Sequence, residues 1–124
     1  MTSRAKRRGA WRRGLLAEAF SVVWLRLLGY RVIARRLRTP VGEIDILARR
    51  RDVLAVVEVK ARQTRRAALE SLTPRQRGRL QRAAQWLIAG RPDLAELKIR
   101  FDVIAIAPWR MPVRIIDAWR PEHD

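Results

Sequence analysis

Apolar residues at Leu16, Ala19, Phe20, Val23 and Leu27 recur at i, i+3, i+4, i+7 and i+11, which predicts an amphipathic helix from about Trp11 to Leu28. Gly29 is its stop signal. A second apolar set, Leu15, Val22 and Leu25, surrounds Glu18 and places that acid on or beside the buried face. Extended patterns follow at Arg31–Arg38, Glu43–Ala48 and Val53–Ala61, separated by Thr39-Pro40-Val41-Gly42 and by Arg49-Arg50-Arg51-Asp52. Helical periodicity then returns. Thr73 as N-cap, Pro74 in the first turn and Gln76 completing a capping box open a helix with Leu80, Ala83, Ala84, Leu87 and Ile88 as its buried stripe and Gly90 at its end. Ile99–Ala107 and Val113–Ala118 read as two more strands. The predicted order is α-β-β-β-α-β-β. Val53–Ala61 is apolar on both faces and needs cover on both, so the expected fold is α/β, a central mixed β-sheet flanked by helices.

The strand pattern also gathers charge. Glu43, Asp45 and Leu47 share one strand face, while Leu54, Val56, Glu58 and Lys60 share a face of the next strand. A two-residue loop at Arg51-Asp52 sets Asp45 opposite Glu58, and a four-residue loop leaves it diagonal on the same face. Either register puts Ile44 and Ile46 beside Val57 and Val59. Two carboxylates in a partly apolar setting repel each other and lose hydration, and a divalent cation relieves both costs. The bland counterpart is a half-buried Glu58–Lys60 ion pair with Asp45 capping a turn.

Composition narrows the chemistry. The 124 residues suit one domain, 11–120, preceded by a basic flexible arm at 1–10. There is no cysteine, and the single histidine is His123, so thiolate or imidazole zinc sites and Ser-His-Asp machinery are excluded. An all-oxygen ligand set suits Mg2+ or Mn2+. The 28 Lys and Arg against 12 Asp and Glu leave a net charge of +16. All but Lys6, Lys60 and Lys98 of these cations are arginines, and guanidinium pairs with phosphate in bidentate fashion. The implied partner is nucleic acid, with Arg12, Arg13, Arg62, Arg75 and Arg79 expected to meet phosphate. The apolar stretch Leu15–Leu28 is interrupted by Glu18 and Arg26, and no small-residue cleavage pattern follows it. The expectation is therefore a cytoplasmic protein with no membrane partner.

The Gly42-Glu43-Ile44-Asp45 strand, the Glu58-Val59-Lys60 strand and the upstream helical Glu18 resemble the PD-(D/E)xK nuclease superfamily. Together with Gly29-Tyr30, Gln76 and Arg100-Phe101-Asp102, they resemble more narrowly the bacterial YraN family, whose members are similar to Holliday junction resolvases. The likeness runs from about Gly14 to Ala118. It implies a restriction-endonuclease-like core, Asp45 and Glu58 as metal ligands and Lys60 as catalytic lysine. It also implies Glu18 as an auxiliary metal or water contact, Gln76 lining the site, and a homodimer. Ile44-Asp45 replaces the Pro-Asp of the first motif, and Ala17-Glu18 stands where Gly-Glu is commoner. The function implied is metal-dependent endonucleolytic hydrolysis of phosphodiester bonds in DNA, branched DNA included. The alternative is a catalytically silent nuclease fold that binds nucleic acid. Arg100 with Asp102 is expected as a structural ion pair, and Glu43 as a rim acid.

Overall fold

The computed structural model describes residues 3–120, with the backbone alone for residues 3–8 and 10–13. Helix α1 (Ser3–Leu27) is followed by strands β1 (Arg31–Thr39), β2 (Gly42–Arg50) and β3 (Val53–Ala61). Helices α2 (Arg65–Glu70) and α3 (Pro74–Ala89), a 3-10 turn at Pro92–Leu94, and strands β4 (Lys98–Ile106) and β5 (Val113–Trp119) complete it. The five strands lie in sequence order in one sheet. β3 and β4 run parallel, joined by the helical crossover, and every other neighbouring pair is antiparallel. This is the mixed sheet that the strand pattern predicts.

The helices depart from expectation in three ways. α1 begins at Ser3 rather than near Trp11, so the helix takes in most of the segment expected as an arm; Met1 and Thr2 lie outside the described residues. The short helix α2 is additional. It is set by Thr64, whose hydroxyl accepts the Ala67 N–H at 3.0 Å, and only Ala68 of it is buried. Six residues with one buried position carry too little periodicity to be read from the sequence. The third departure is in α1, whose buried positions are Ala17, Glu18, Ser21, Val22 and Leu25, whereas Leu16, Ala19, Phe20, Val23 and Leu27 face outward. Two apolar stripes compete for the sheet, and the one containing Glu18 is the one that packs.

Both sheet faces are covered. On the α1 side Val22 and Leu25 pack with Tyr30, Ile46, Ala48, Ala55, Val57 and Ile104. On the α3 side Leu80, Ala83, Ala84 and Leu87 pack with Ile44, Leu47, Leu54, Val56, Phe101 and Val103. Each fully buried Leu, Ile or Val stabilises the fold by about 1.5–3 kcal/mol relative to exposure. Thr73 accepts the Gln76 N–H at 3.3 Å and starts α3 as expected. Trp86 is half exposed on the outer side of α3.

Strand β2 breaks the simple alternation. Ile44 and Leu47 both join the α3-side cluster while Ile46 faces α1, so Ile44 and Ile46 do not share a face as the sequence pattern suggests. On the partner strand the register runs unbroken from Ala34 to Thr39, its one shift lying between Val32 and Ala34, and Arg36, which faces Asp45, has φ +46°. That left-handed conformation is rare for a side chain as large as arginine. The kink occurs opposite Asp45.

Candidate metal centre

The β2–β3 hairpin has the two-residue loop, with Arg50 opposite Val53 and Ile46 opposite Val57. Continuing this register sets Asp45 across from Glu58. The backbone pairing ends at Ile46 and Val57, and one residue further the Asp45 carboxylate takes over, with Oδ2 accepting the Val59 N–H at 2.9 Å. The kink at Arg36 and Asp45 thus frees a side chain to cap the strand and holds it beside Glu58. Glu58 and Lys60 follow on the same face of β3, about 6–7 Å apart at Cα. Lys60 Nζ lies 3.1 Å from Glu58 Oε1, and the two side chains are only 11% and 13% exposed.

Burial dominates the electrostatics. Desolvation first, and then the neighbouring Asp45 charge, push the Glu58 carboxyl up to about 8 against the opposing pull of Lys60. Asp45 is also raised, first by burial, while the Val59 N–H, the Glu58 side chain and Lys60 pull it back. The contact between the two side chains raises Glu58 and lowers Asp45, so of the pair Glu58 is the one that favours holding a proton. Such a pair suits a divalent ion, which replaces the proton and offsets both charges.

Glu18 lies nearby, close enough for its charge to raise Asp45. It is 6% exposed, and Oε1 is held by Arg35 Nε at 3.1 Å and by Arg36 Nε at 3.4 Å. Those two arginines were not singled out from the sequence. Adjacent strand residues ordinarily point to opposite faces, so the pair Arg35-Arg36 gave no sign that both guanidiniums meet one acid; Arg36 does so with φ +46°. Glu18 does not complete a three-carboxylate cage: among the described residues no three His, Cys, Asp or Glu side chains gather around a common metal position. Gln76 stands in the first turn of α3, where its backbone N–H meets Thr73. Its side chain does not return the capping-box bond; Oε1 is buried without a hydrogen-bond partner. α3 lies over the start of β2, with the Arg79 backbone 3.7 Å from where a Cβ on Gly42 would stand. Arg62, Arg75 and Arg79 are exposed around this end of the sheet. The side chains of Arg12 and Arg13 lie outside the described residues.

Glu43 is exposed and within 3.9 Å of Arg38, a rim position. Arg100 clamps the fully buried Asp102 through Nε at 2.8 Å and Nη2 at 2.7 Å, the structural pair expected. Asp102 also accepts the Asp117 N–H at 2.9 Å, so it fixes β5 to β4 and takes no part in the Asp45–Glu58 pair.

An α/β fold with a five-stranded mixed sheet between helices, bearing a carboxylate pair and a lysine on adjacent strands, is compatible with a restriction-endonuclease-like core. Residues 17–106 match the family described as "Uncharacterised protein family UPF0102", and the chain belongs to that family, the one to which the YraN likeness points. A UPF0102 protein of Parvibaculum lavamentivorans is 57% identical over 90% of this chain and 84% of its own length. One from Paramagnetospirillum magneticum is 50% identical over 90% and 89%. One from Caulobacter vibrioides is 52% identical over 86% and 85%. Among the described residues no helix is long and apolar enough to cross a membrane.

Proposed function

We propose that this chain is a metal-dependent endonuclease that hydrolyses phosphodiester bonds in nucleic acid, DNA in the first instance. The observation that carries this reading is the largely buried Asp45 and Glu58 carboxyls side by side next to Lys60, on a chain of net charge +16. Structural acids in so basic a protein have arginine partners within easy reach, yet these two face each other. Asp45 and Glu58 would hold Mg2+ or Mn2+, and the donor set, oxygen without nitrogen or sulfur, fits either ion. A divalent ion held there supplies Lewis acidity toward phosphate and acidifies a water near neutral pH.

The remaining steps belong to the chain's own groups. Lys60 lies against Glu58 in the resting site and, with phosphate bound, stabilises the negative charge that builds on the phosphoryl oxygens. The Val59 N–H holds Asp45 in place, so the ligand is positioned before substrate arrives. Glu18, clamped by Arg35 and Arg36, adds negative field behind Asp45 rather than a third ligand. Gln76, with its unpartnered carbonyl oxygen, is the α3 group suited to hold a water. Arg62, Arg75 and Arg79, with Arg12 and Arg13, hold the phosphate backbone, and their binding weakens steeply with salt.

A second reading has one observation in its favour. The Glu58–Lys60 contact and the double clamp on Glu18 answer these acids partly from within the chain, as a binding-only nuclease fold would. Incubation with labelled linear, single-stranded, flap and four-way-junction DNA separates the two. Cleavage with Mg2+ or Mn2+ that stops on chelation is expected. Tight, salt-sensitive binding without cleavage under every metal condition would favour the binding-only protein.

A further inference from the structure

Three arginines from three strands meet on Tyr30. Helix α1 ends at Gly29, in the left-handed region with φ +92°, and the Tyr30 N–H donates to the Leu25 carbonyl at 3.0 Å. That turn delivers the ring to the α1-side core, where Tyr30 is 6% exposed. Its hydroxyl accepts from Arg100 Nη2 at 2.6 Å and from Arg114 Nη2 at 2.8 Å. The guanidinium carbons of Arg50, Arg100 and Arg114 lie 5.8, 5.8 and 5.3 Å from the ring centroid. Asp102 is held by Arg100, and among the described residues neither Arg50 nor Arg114 has an acid partner. Arg114 Nε is buried without an acceptor. Arg50 is exposed, so the cluster opens to solvent on its side.

We infer that this cluster binds a dianionic phosphate group, either the phosphomonoester at a nucleic-acid end or free phosphate. The first argument is charge. One guanidinium is enough to stack on a tyrosine ring and to meet its hydroxyl, and a second and third bring mutual repulsion that an anion removes. Three guanidiniums against the single Asp102 carboxylate leave an excess of about two positive charges, which matches a phosphomonoester at neutral pH and exceeds the single charge of a backbone phosphodiester. The second argument is preorganisation. Asp102 fixes Arg100 in bidentate fashion and the Tyr30 hydroxyl fixes Arg114, so two planar forks are in place before a ligand arrives. The last carbonyls of α1, which would repel an anion, are answered by the Leu28, Gly29 and Tyr30 N–H groups. Arg50 stands five residues along β2 from Asp45, about 16 Å, so the site is separate from the candidate metal centre. The inference rests on the nucleic-acid reading only for one of the two sources of the phosphate.

Binding by the full chain in chelator, where metal-dependent cleavage is off, tests it at matched ionic strength. The probes are inorganic phosphate and a short labelled oligonucleotide phosphorylated at its 5′ end, at its 3′ end or at neither. Melting in phosphate against chloride reads the free anion, and fluorescence anisotropy reads the oligonucleotides. A phosphorylated end should bind about tenfold tighter than the bare one, and Arg50→Gln should abolish that preference. Arg49→Gln removes the same charge one residue away, on the side facing Asp93, and should preserve it. Arg114→Gln should act as Arg50→Gln does. Because Arg114 also holds Tyr30, Arg50→Gln, at an exposed position, is the variant that separates binding from folding. Phosphate that raises the melting temperature of the wild type but not of Arg50→Gln, with no preference among the ends, supports the site and makes free phosphate its ligand. Equal affinity for all three oligonucleotides with phosphate no better than chloride overturns the inference. So does a preference that survives Arg50→Gln. Neither result bears on cleavage, so the nuclease reading stands or falls separately.

Discussion

Lys60→Ala and Asp45→Asn are each expected to reduce metal-dependent cleavage by about a thousandfold or more, with DNA affinity and its salt dependence almost unchanged. The two substitutions act on different parts of the site. Asparagine keeps an oxygen that accepts the Val59 N–H, so the strand end stays capped and the fold survives, but the ligand charge is gone. Alanine at 60 removes the cation that holds Glu58 down and the charge that steadies phosphate in the transition state. Neither group belongs to the exposed arginine surface, so the electrostatic attraction for backbone phosphates persists. Single-turnover cleavage and a salt titration of binding, run on the same proteins, separate the two effects. Variants that cut as fast as wild type would show that Asp45 and Lys60 have no part in catalysis. Variants that lose binding in parallel with cleavage would instead mean that the site is a structural support.

Glu58→Gln should make the metal-free protein more stable at pH 8 and leave it little changed at pH 5. The sign follows from linkage. An acid whose folded value lies at about 8, against an ordinary 4.5, holds its proton in the fold through the window in which the unfolded chain has released it. Stability is therefore full below pH 4.5, falls as pH rises through that window, and has lost this contribution above pH 8. Asp45 is shifted in the same direction and adds to the decline. Glutamine cannot ionise, so the decline should flatten and the gain at pH 8 should be on the order of 1–3 kcal/mol, discounted for partial solvent access and coupling. Denaturant unfolding at both pH values, in the presence of chelator, measures it. A wild-type protein more stable at pH 8 than at pH 5, with the variant no different, would mean that Glu58 is ionised in the fold and that Lys60 outweighs burial.

Much of this architecture was legible because local signals agreed with the global fold. Thr73-Pro74 and Gly90 bound α3, and the doubly apolar Val53–Ala61 run demanded cover on both faces. Asp45, Glu58 and Lys60 were legible for the same reason: a buried sheet resists a register slip, and the hairpin loop left few alternatives. What escaped was decided by tertiary competition. α1 offers two apolar stripes, and nothing in the helix alone says that Ala17, Val22 and Leu25 win over Leu16, Phe20 and Val23. The smaller residues allow closer approach to the sheet, and Glu18 travels in with them to meet Arg35 and Arg36. The kink opposite Asp45 was equally hidden. Arg36 adopts a positive φ, and the acid its guanidinium reaches, Glu18, lies on another element.

The central claim is that Asp45 and Glu58 exchange the Glu58 proton for a divalent ion. Calorimetric titration of Mn2+ into the wild type and Glu58→Gln, near neutral pH in buffers of different ionisation heat, measures binding and proton release together. The account predicts one ion bound per chain with release of about one proton, and loss of both in Glu58→Gln. Absent binding, or equal binding by the variant with no proton released, would contradict it.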